Sequence, residues 1–231
     1  MRSCRSDTFT GHRWWSARFG IALACLAVLV VSCGSPERTA NADETTNATD
    51  PPLTSAQPVG PGGSDVVLVD LGDANEVATW STVNDPVMGG LSTSTVTFGD
   101  GGLLFSGTIS LENNGGFASA RSPQNPDIGR RATGAKSLRV RAVGDGKTYV
   151  LKVGAAGQSW SYIQRFDSEA AVERTYELSI GGFRPVGMRL DPAPDAPQTL
   201  DPSTISQVAV YILDEQQGPF AITIDAIDAA F

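Results

Sequence analysis

Few side chains in this sequence belong to the types that act as nucleophiles or soft-metal ligands. The 231 residues include three cysteines and one histidine, and Cys4, Cys25 and His12 all lie within the first 32 residues. Without that segment only Cys33 remains, so the chain has no Ser-His-Asp or Cys-His pair and no Cys/His zinc site. We therefore predict that the protein is not an enzyme, with no catalytic residue and no soft-metal site.

Carboxylates are the remaining side chains that could support hydrolysis. A glycosidase needs one carboxyl group with a raised pKa and an ionised partner about 5–10 Å away. Nothing in the spacing of the acids brings two of them together, so a glycosidase is kept only as a third alternative. Its candidate residues are Asp85, Glu112, Asp191, Asp214 and Glu215.

The N-terminal segment indicates export. Four arginines precede Phe19–Val31, an uncharged apolar stretch of about 13 residues, which suits a signal peptide and is shorter than the roughly 20 residues of a membrane span. The sequence Val-Val-Ser-Cys-Gly around Cys33 resembles the bacterial lipobox, in which the cysteine receives a lipid anchor. We predict a lipoprotein signal peptide over residues 1–32 and a lipidated Cys33 on the extracytoplasmic face of the cell membrane.

The composition after the signal segment divides the chain again. Residues 33–64 are rich in Ser, Thr, Pro, Asn and Gly and contain almost no large apolar residue, which predicts a disordered tether.

Of the 17 basic and 25 acidic side chains, residues 1–32 hold four arginines and one aspartate, which leaves 13 basic and 24 acidic groups and a net charge of −11. Such an acidic chain repels phosphate backbones, so we expect no nucleic-acid partner.

Residues 65–231 show the alternation of short β-strands. Asp-Gly at 145–146 predicts a hairpin between the strands on either side of it, and no long segment has helical spacing. About ten strands in one domain favour a β-sandwich or jelly roll, with a closed barrel as the alternative. The predicted strands are 66–71, 94–98, 103–111, 138–142, 149–153, 160–166, 175–180, 187–190, 206–213 and 220–227.

Three loop clusters hold the candidate binding residues. Asn and Asp side chains favour turns through bonds to the backbone, and glycine permits positive φ angles, so each cluster can be purely structural. In a jelly roll, however, loops at one end converge, and a shared polar rim would form a binding surface. The candidates are Trp80, Asn84, Asp85, Met88, Gly89 and Gly90 in the first cluster, Asn113, Asn114 and Arg121 in the second, and Gln216 and Gln217 in the third.

These clusters resemble the complex I intermediate-associated protein 30 family. Its members show a tryptophan before an Asn-Asp-x-x-Met-Gly-Gly-x-Ser turn, then Phe-x-Gly, Asn-Asn-Gly-Gly-Phe and a late Gln-x-Gly-Pro-Phe, all present in order from Trp80 to Phe220. The resemblance implies an all-β, galactose-binding-domain-like jelly-roll sandwich. It also implies an assembly-factor-like role, since mitochondrial members assist assembly of respiratory complex I. A lipoprotein outside the membrane would not reach intermediates on the inner side, and the segment after Phe166 lacks a tryptophan often found there.

Two ligand classes follow from these observations. The tether and the family's assembly factors favour a non-catalytic module that holds an envelope protein partner. The alternative is a carbohydrate-binding module, with Trp80, Tyr149, Trp160 and Tyr162 as stacking platforms, although alternation also permits these aromatic residues to lie in the core. No cofactor is expected, but carboxylate and carbonyl oxygens in loops suit a structural calcium ion.

Overall fold

The computed structural model describes residues 65–231, so the predicted signal peptide, Cys33 and the tether lie outside the described residues. Within this range the regular structure consists mainly of antiparallel strands. Two short α-helices interrupt them, α1 (Ala74–Val77) and α2 (Asp127–Ala132). The strands are β1 (Val66–Asp70), β2 (Ser81–Asn84), β3 (Thr93–Gly99), β4 (Gly102–Ile109), β5 (Ala118–Arg121), β6 (Ser137–Val143), β7 (Thr148–Ala155), β8 (Ser161–Asp167), β9 (Glu173–Ser179), β10 (Arg184–Val186), β11 (Ile205–Ile212) and β12 (Gly218–Ala230).

The strands form a jelly-roll β-sandwich of two six-stranded sheets. The first sheet has the order β3-β4-β12-β6-β9, and β1 also pairs with β12. The long β12 makes this possible, because its first half pairs with β4 and its second half with β1. The second sheet has the order β10-β8-β7-β11-β5-β2. The predicted fold class is confirmed.

The main core lies between the sheets and is formed by alternate residues of the strands. Phe105 and Phe220 meet edge to face at 4.9 Å between ring centroids, and Phe166 lies 5.0 Å from Tyr176. A second, smaller apolar cluster lies on the outer face of the second sheet. Its members are Val150, Ile163, Val186, Ala209 and Tyr211, against which Phe117, Leu190 and Leu213 pack.

Two predictions from the sequence are wrong in detail. Residues 187–190 form a turn, in which Gly187 N–H donates to the carbonyl of Asp191 at 2.8 Å, and the strand is β10, just before it. The Asp-Gly pair at 145–146 does not close a hairpin, because β6 belongs to the first sheet and β7 to the second. The Asp145 carboxylate instead accepts from Lys147 N–H and Ala221 N–H, which turns the chain from one sheet to the other.

The sequence reading also missed β2 and β5, two strands of four residues each within the motif clusters. The Asn84-Asp85 turn residues end β2, and Asn113-Asn114-Gly115-Gly116 come shortly before β5, so turn signals obscure both short strands in the sequence. No helix in residues 65–231 is long and apolar enough to cross a membrane.

Candidate functional site

Asp85 joins the first two loop clusters from inside the protein. It is 0% exposed, and its carboxylate accepts hydrogen bonds from Ser92 N–H (2.8 Å), Ser92 Oγ–H, Gly116 N–H (2.6 Å) and Phe117 N–H (3.2 Å). Burial raises the pKa of Asp85, but these bonds together hold it below its usual value. Asp85 therefore does not lie at an exposed rim: its carboxylate satisfies buried backbone donors and fixes the loops.

The turn that follows Asp85 has an inner and an outer half. A Cβ on Gly90 would lie 2.5 Å from the Asp85 Cγ atom, so only glycine fits there, and Gly89 has a φ of +92°. Between Asp85 and Gly89 the chain turns outward, so that the side chains of Val87 and Met88 are 71% and 62% exposed. The geometry of the turn thus places two apolar side chains in solvent.

The Asn84-Asp85, Asn113-Asn114 and Gln216-Gln217 turns lie at one end of the second sheet, whereas Trp80 and Arg121 lie at the opposite ends of β2 and β5. Strand pairing aligns Asn84 with Ala118 and Ala118 with Ile212, so the chain leaves β2, enters β5 and leaves β11 at the same edge. The Asn84 amide is hydrogen-bonded to the Ser94 hydroxyl at 2.7 Å. Asn113 and Asn114 are both exposed, with φ near +57°.

Gln216 has a bracing role at the same end. Its side-chain oxygen accepts from Thr148 N–H at 2.9 Å, and its amide nitrogen donates to the carbonyls of Thr148 (2.7 Å) and Leu213 (2.8 Å). The neighbouring Gln217 is exposed. Gln216 therefore ties the β11–β12 turn to the start of β7, whereas Gln217 stays open to solvent.

Three of the four aromatic side chains considered as sugar platforms are in the core. Trp80, Tyr149 and Tyr162 are buried, and the Tyr162 hydroxyl donates to the Pro197 carbonyl at 3.0 Å. Trp160 is half-buried and lines a recess of about 440 Å³ together with Gln158. Only Trp160 of these four is thus accessible for stacking.

A cleft of about 590 Å³ opens on the outer face of the second sheet, beside the exposed turn. Two of the candidate residues, Met88 and Arg121, line it. One side is formed by the turn after Asp85 and the other by the turn after β10, where Met188 is 88% exposed. The full lining is Val83, Val87, Met88, Phe117, Arg121, Met188, Arg189, Leu190 and Tyr211.

Two cations meet the Tyr211 ring at the floor of this cleft: Arg121 belongs to the lining, and Lys152 lies next to it. Arg121 Cζ lies 5.3 Å from the centroid of the Tyr211 ring, and Lys152 Nζ lies 5.4 Å from it. Both distances are within the range of cation–π interaction. Arg121 Nε–H also donates to Ser119 Oγ at 3.1 Å, and Ser119 Oγ–H donates to the Val83 carbonyl at 2.6 Å, which fixes the guanidinium.

The floor is an electropositive place within an acidic protein. Burial lowers the pKa of Lys152, and the nearby Arg121 charge lowers it further. Burial raises the pKa of the Tyr211 phenol, so Tyr211 stays neutral and does not act as an anion for the two cations. The arrangement suits a ligand that is apolar at the rim and negatively charged at the floor.

The acids proposed for glycosidase chemistry do not meet in this cleft, and no acidic residue is found in its lining. Asp85 is buried, and both Asp214 carboxylate oxygens accept from Arg165 at 2.7 Å. Across residues 65–231 there is no group of three or more His, Cys, Asp or Glu side chains placed to hold a metal ion. Structural calcium stays a prediction, tested by melting with and without a chelator.

Sequence reasoning missed Lys152, Tyr211 and the turn at Met188. Alternation along β7 places Lys152 on the outer face, since Leu151 and Val153 on either side of it are buried. Its meeting with Arg121 depends on both β5 and β7 pairing with β11, which the order of strands in the sequence does not reveal.

Comparison with known families gives one match. Residues 69–224 match the family described as complex I intermediate-associated protein 30. A search of curated proteins finds no match.

Comparison with solved structures recovers the sandwich. The family 11 carbohydrate-binding module of a cellulosomal cellulase of Clostridium thermocellum aligns with a TM-score of 0.52 at 14% identity, over 73% of this chain and 96% of that one. The same module in complex with a mixed-linked tetrasaccharide gives 0.47 at 14% identity, over 69% and 94%. An agarase aligns with a TM-score of 0.48 at 13% identity, over 73% of this chain and 25% of its own. At these identities the likeness is one of fold alone.

Proposed function

Because this chain belongs to the complex I intermediate-associated protein 30 family, we propose that its domain is a non-catalytic module that binds a protein partner in the envelope. The observation that supports this most directly is the cleft on the second sheet, with exposed Met88 and Met188 on opposite sides. Methionine side chains are flexible and polarizable, and they are common on surfaces that adapt to a partner protein.

The exposed apolar side chains of the cleft argue for a partner. Val87, Met88 and Met188 lie in two separate turns that border a single cleft, so together they form one patch. Exposed apolar patches of this kind on soluble domains mark interaction sites. The turn that carries Val87 and Met88 is held by the buried Asp85, so the first two side chains are presented from a fixed backbone.

The proposal includes the membrane anchor. A lipidated Cys33 and a tether over residues 33–64 would keep the domain near the outer face of the membrane, with the cleft free to meet a membrane-bound partner. Stable anchoring takes more than one acyl chain. A Cys33→Ser protein should lose lipid labelling and pass to the soluble fraction; unchanged membrane association would contradict the anchor.

The absence of catalysis is also part of the proposal. With a signal peptide removed, the chain retains no histidine, and no acid lines the cleft. The cleft thus offers binding groups and no carboxylate in its lining to act as a general acid or base. Incubation of the protein with a panel of polysaccharides should give no product, and turnover that depends on Asp191 or Glu215 would contradict this part.

Site-specific photo-crosslinking of the full chain in its own membranes tests the partner. A photo-reactive phenylalanine at position 188 should yield a discrete adduct, because that position borders the cleft. The matched control is the same group at position 98, where Phe98 is exposed on β3 of the first sheet. Identical adduct patterns at both positions, or no adduct at 188, would contradict the proposal.

Carbohydrate binding is the second candidate, supported by the half-buried Trp160 in its own recess beside Gln158 and Asp201. An indole face with neighbouring hydrogen-bonding groups is the usual composition of a sugar site. A bound sugar should change Trp160 fluorescence, whereas the signal from the core residue Trp80 stays constant. No change with any glycan at millimolar concentration would remove this candidate.

A further inference from the structure

The two cations of the cleft stand in one row across the second sheet. Arg121 of β5 and Lys152 of β7 both pair with Ala209, on the strand between them. Adjacent strands are about 4.8 Å apart, so the two backbones are roughly 10 Å apart. Ala209 is itself buried, and both head groups lie beside the same Tyr211 ring, 5.3 and 5.4 Å from its centroid.

Neither cation has an anionic partner within the part of the chain that the structure describes. Seven ion pairs occur in residues 65–231, and none involves Arg121, Lys152 or Arg189, the three basic residues at the cleft. Within the same range Arg121 donates a hydrogen bond only from Nε, and Lys152 Nζ donates none. Both head groups therefore retain unused N–H donors. The Tyr211 ring beside them compensates only part of their positive charge.

Burial makes this lack of compensation costly. Lys152 is half-buried, and a desolvated ammonium next to a second positive charge favours a bound anion. Two cations spaced across one small residue suit a carboxylate, which can accept hydrogen bonds through both of its oxygens. The chain is acidic overall, with a net charge of −8, so an uncompensated pair of cations on it stands out.

We propose that the head groups of Arg121 and Lys152, beside the Tyr211 ring, bind an acidic side chain of a partner protein, and that apolar residues next to that side chain pack against Met88 and Met188. This proposal rests on the proposed function and names the chemistry of its partner. The combination of a cationic floor with apolar sides favours a peptide segment over a sugar, because each neutral hydroxyl would leave the cations unpaired.

Titration of the full chain in detergent with two capped peptides tests the proposal. The probes are acetyl-Leu-Glu-Leu-amide and acetyl-Leu-Gln-Leu-amide, which differ only in the charge of the central side chain, and binding is followed by the NMR shifts of Ala209 and Tyr211. The glutamate peptide should bind about tenfold or more tightly than the glutamine peptide, as expected for one charge-assisted interaction. Lys152→Met should remove that difference, whereas Lys136→Met, an exposed lysine before β6, should keep it.

Each other outcome overturns the inference. Equal binding of both peptides, retention of the preference in Lys152→Met, or no shift with either peptide at millimolar concentration would show that no carboxylate site exists. Hexanoate that binds as tightly as the glutamate peptide would assign the site to a small carboxylate in place of a protein segment. The proposed function is tested separately, by the photo-crosslinked adduct at position 188. If that adduct forms but the acidic peptide is not preferred, the carboxylate site is wrong and the proposed protein-binding function stands.

Discussion

The two outer faces of the sandwich both carry basic side chains, but the groups that these side chains contact differ. On the first sheet, Arg139 and Arg141 project from β6, and each meets a carboxylate: Arg139 lies 2.6 Å from Asp65, and Arg141 lies 3.1 Å from Asp228. On the second sheet, Arg121 and Lys152 meet an aromatic ring and no carboxylate. Both faces are built from antiparallel strands, so strand geometry does not explain the difference.

The difference shows which face is complete within the chain. On the first sheet the chain itself supplies the counter-charges of both arginines, including the buried Asp228. On the second sheet Arg165 is likewise paired with Asp214, whereas Arg121 and Lys152 have no carboxylate partner within residues 65–231 and the methionines beside them are exposed. We infer that a structural face balances its own charges, whereas a binding face leaves them to a partner.

The largest expected effect on stability is at Asp85, which holds the backbone of the cleft and does not form its surface. Asp85→Asn should destabilise the domain by at least about 3 kcal/mol, because an amide nitrogen would face the buried N–H groups of Gly116 or Ser92. Chemical denaturation measures the change, with Gln217→Ala as an exposed control in the neighbouring turn. A loss under about 0.5 kcal/mol would contradict the bracing role of Asp85.

The same variant should change the response to acid. The pKa of Asp85 is lower in the folded protein than in the unfolded chain, so its contribution is complete above about pH 4 and is lost as the pH falls through the folded value. The gap in unfolding free energy between parent and Asp85→Asn should therefore be constant near neutral pH and shrink below about pH 4. A gap that stays constant into strong acid would contradict this assignment.

An intermediate effect tests the two faces side by side. Arg141→Met should cost about 2 kcal/mol, because it leaves the buried Asp228 carboxylate without its cation. Arg121→Met should change stability by no more than about 0.5 kcal/mol, because no carboxylate loses a partner and the repulsion with Lys152 is relieved. Both are measured by denaturation under one set of conditions. Equal losses of unfolding free energy in the two variants would show that the two faces do not differ in this way.

The smallest effect on stability is expected at the sides of the cleft. Met88→Ser and Met188→Ser should each shift the free energy of unfolding by less than about 0.5 kcal/mol, because both side chains are mostly exposed. They should nevertheless weaken the adduct formed from the cleft, measured with a crosslinker at position 87. If the melting temperature falls together with the yield of the adduct, the methionines support the fold and not only the binding surface.

The sequence predicted the sandwich better than the cleft, for physical reasons. Alternation fixes strands and their buried faces, and the motif from Asn84 to Gly90 marked a turn that borders the cleft. Pairing across the sheet is nonlocal, so the meeting of Arg121 with Lys152 could not be read from residues 31 positions apart. The acidity of Asp85 suggested a binding group, but the same short carboxylate also suits buried backbone donors, and only its burial separates the two roles.

A measurement of the pKa of the Lys152 amine in the full chain tests the central claim most directly. This amine is partly buried beside the Tyr211 ring and near the Arg121 charge, so the free protein should show a pKa below that of an ordinary lysine, about 10.4. The value should rise in Arg121→Met and on saturation with the acidic peptide. An ordinary pKa in the free protein, unchanged by the peptide, would contradict the account of the second sheet as an uncompensated binding face.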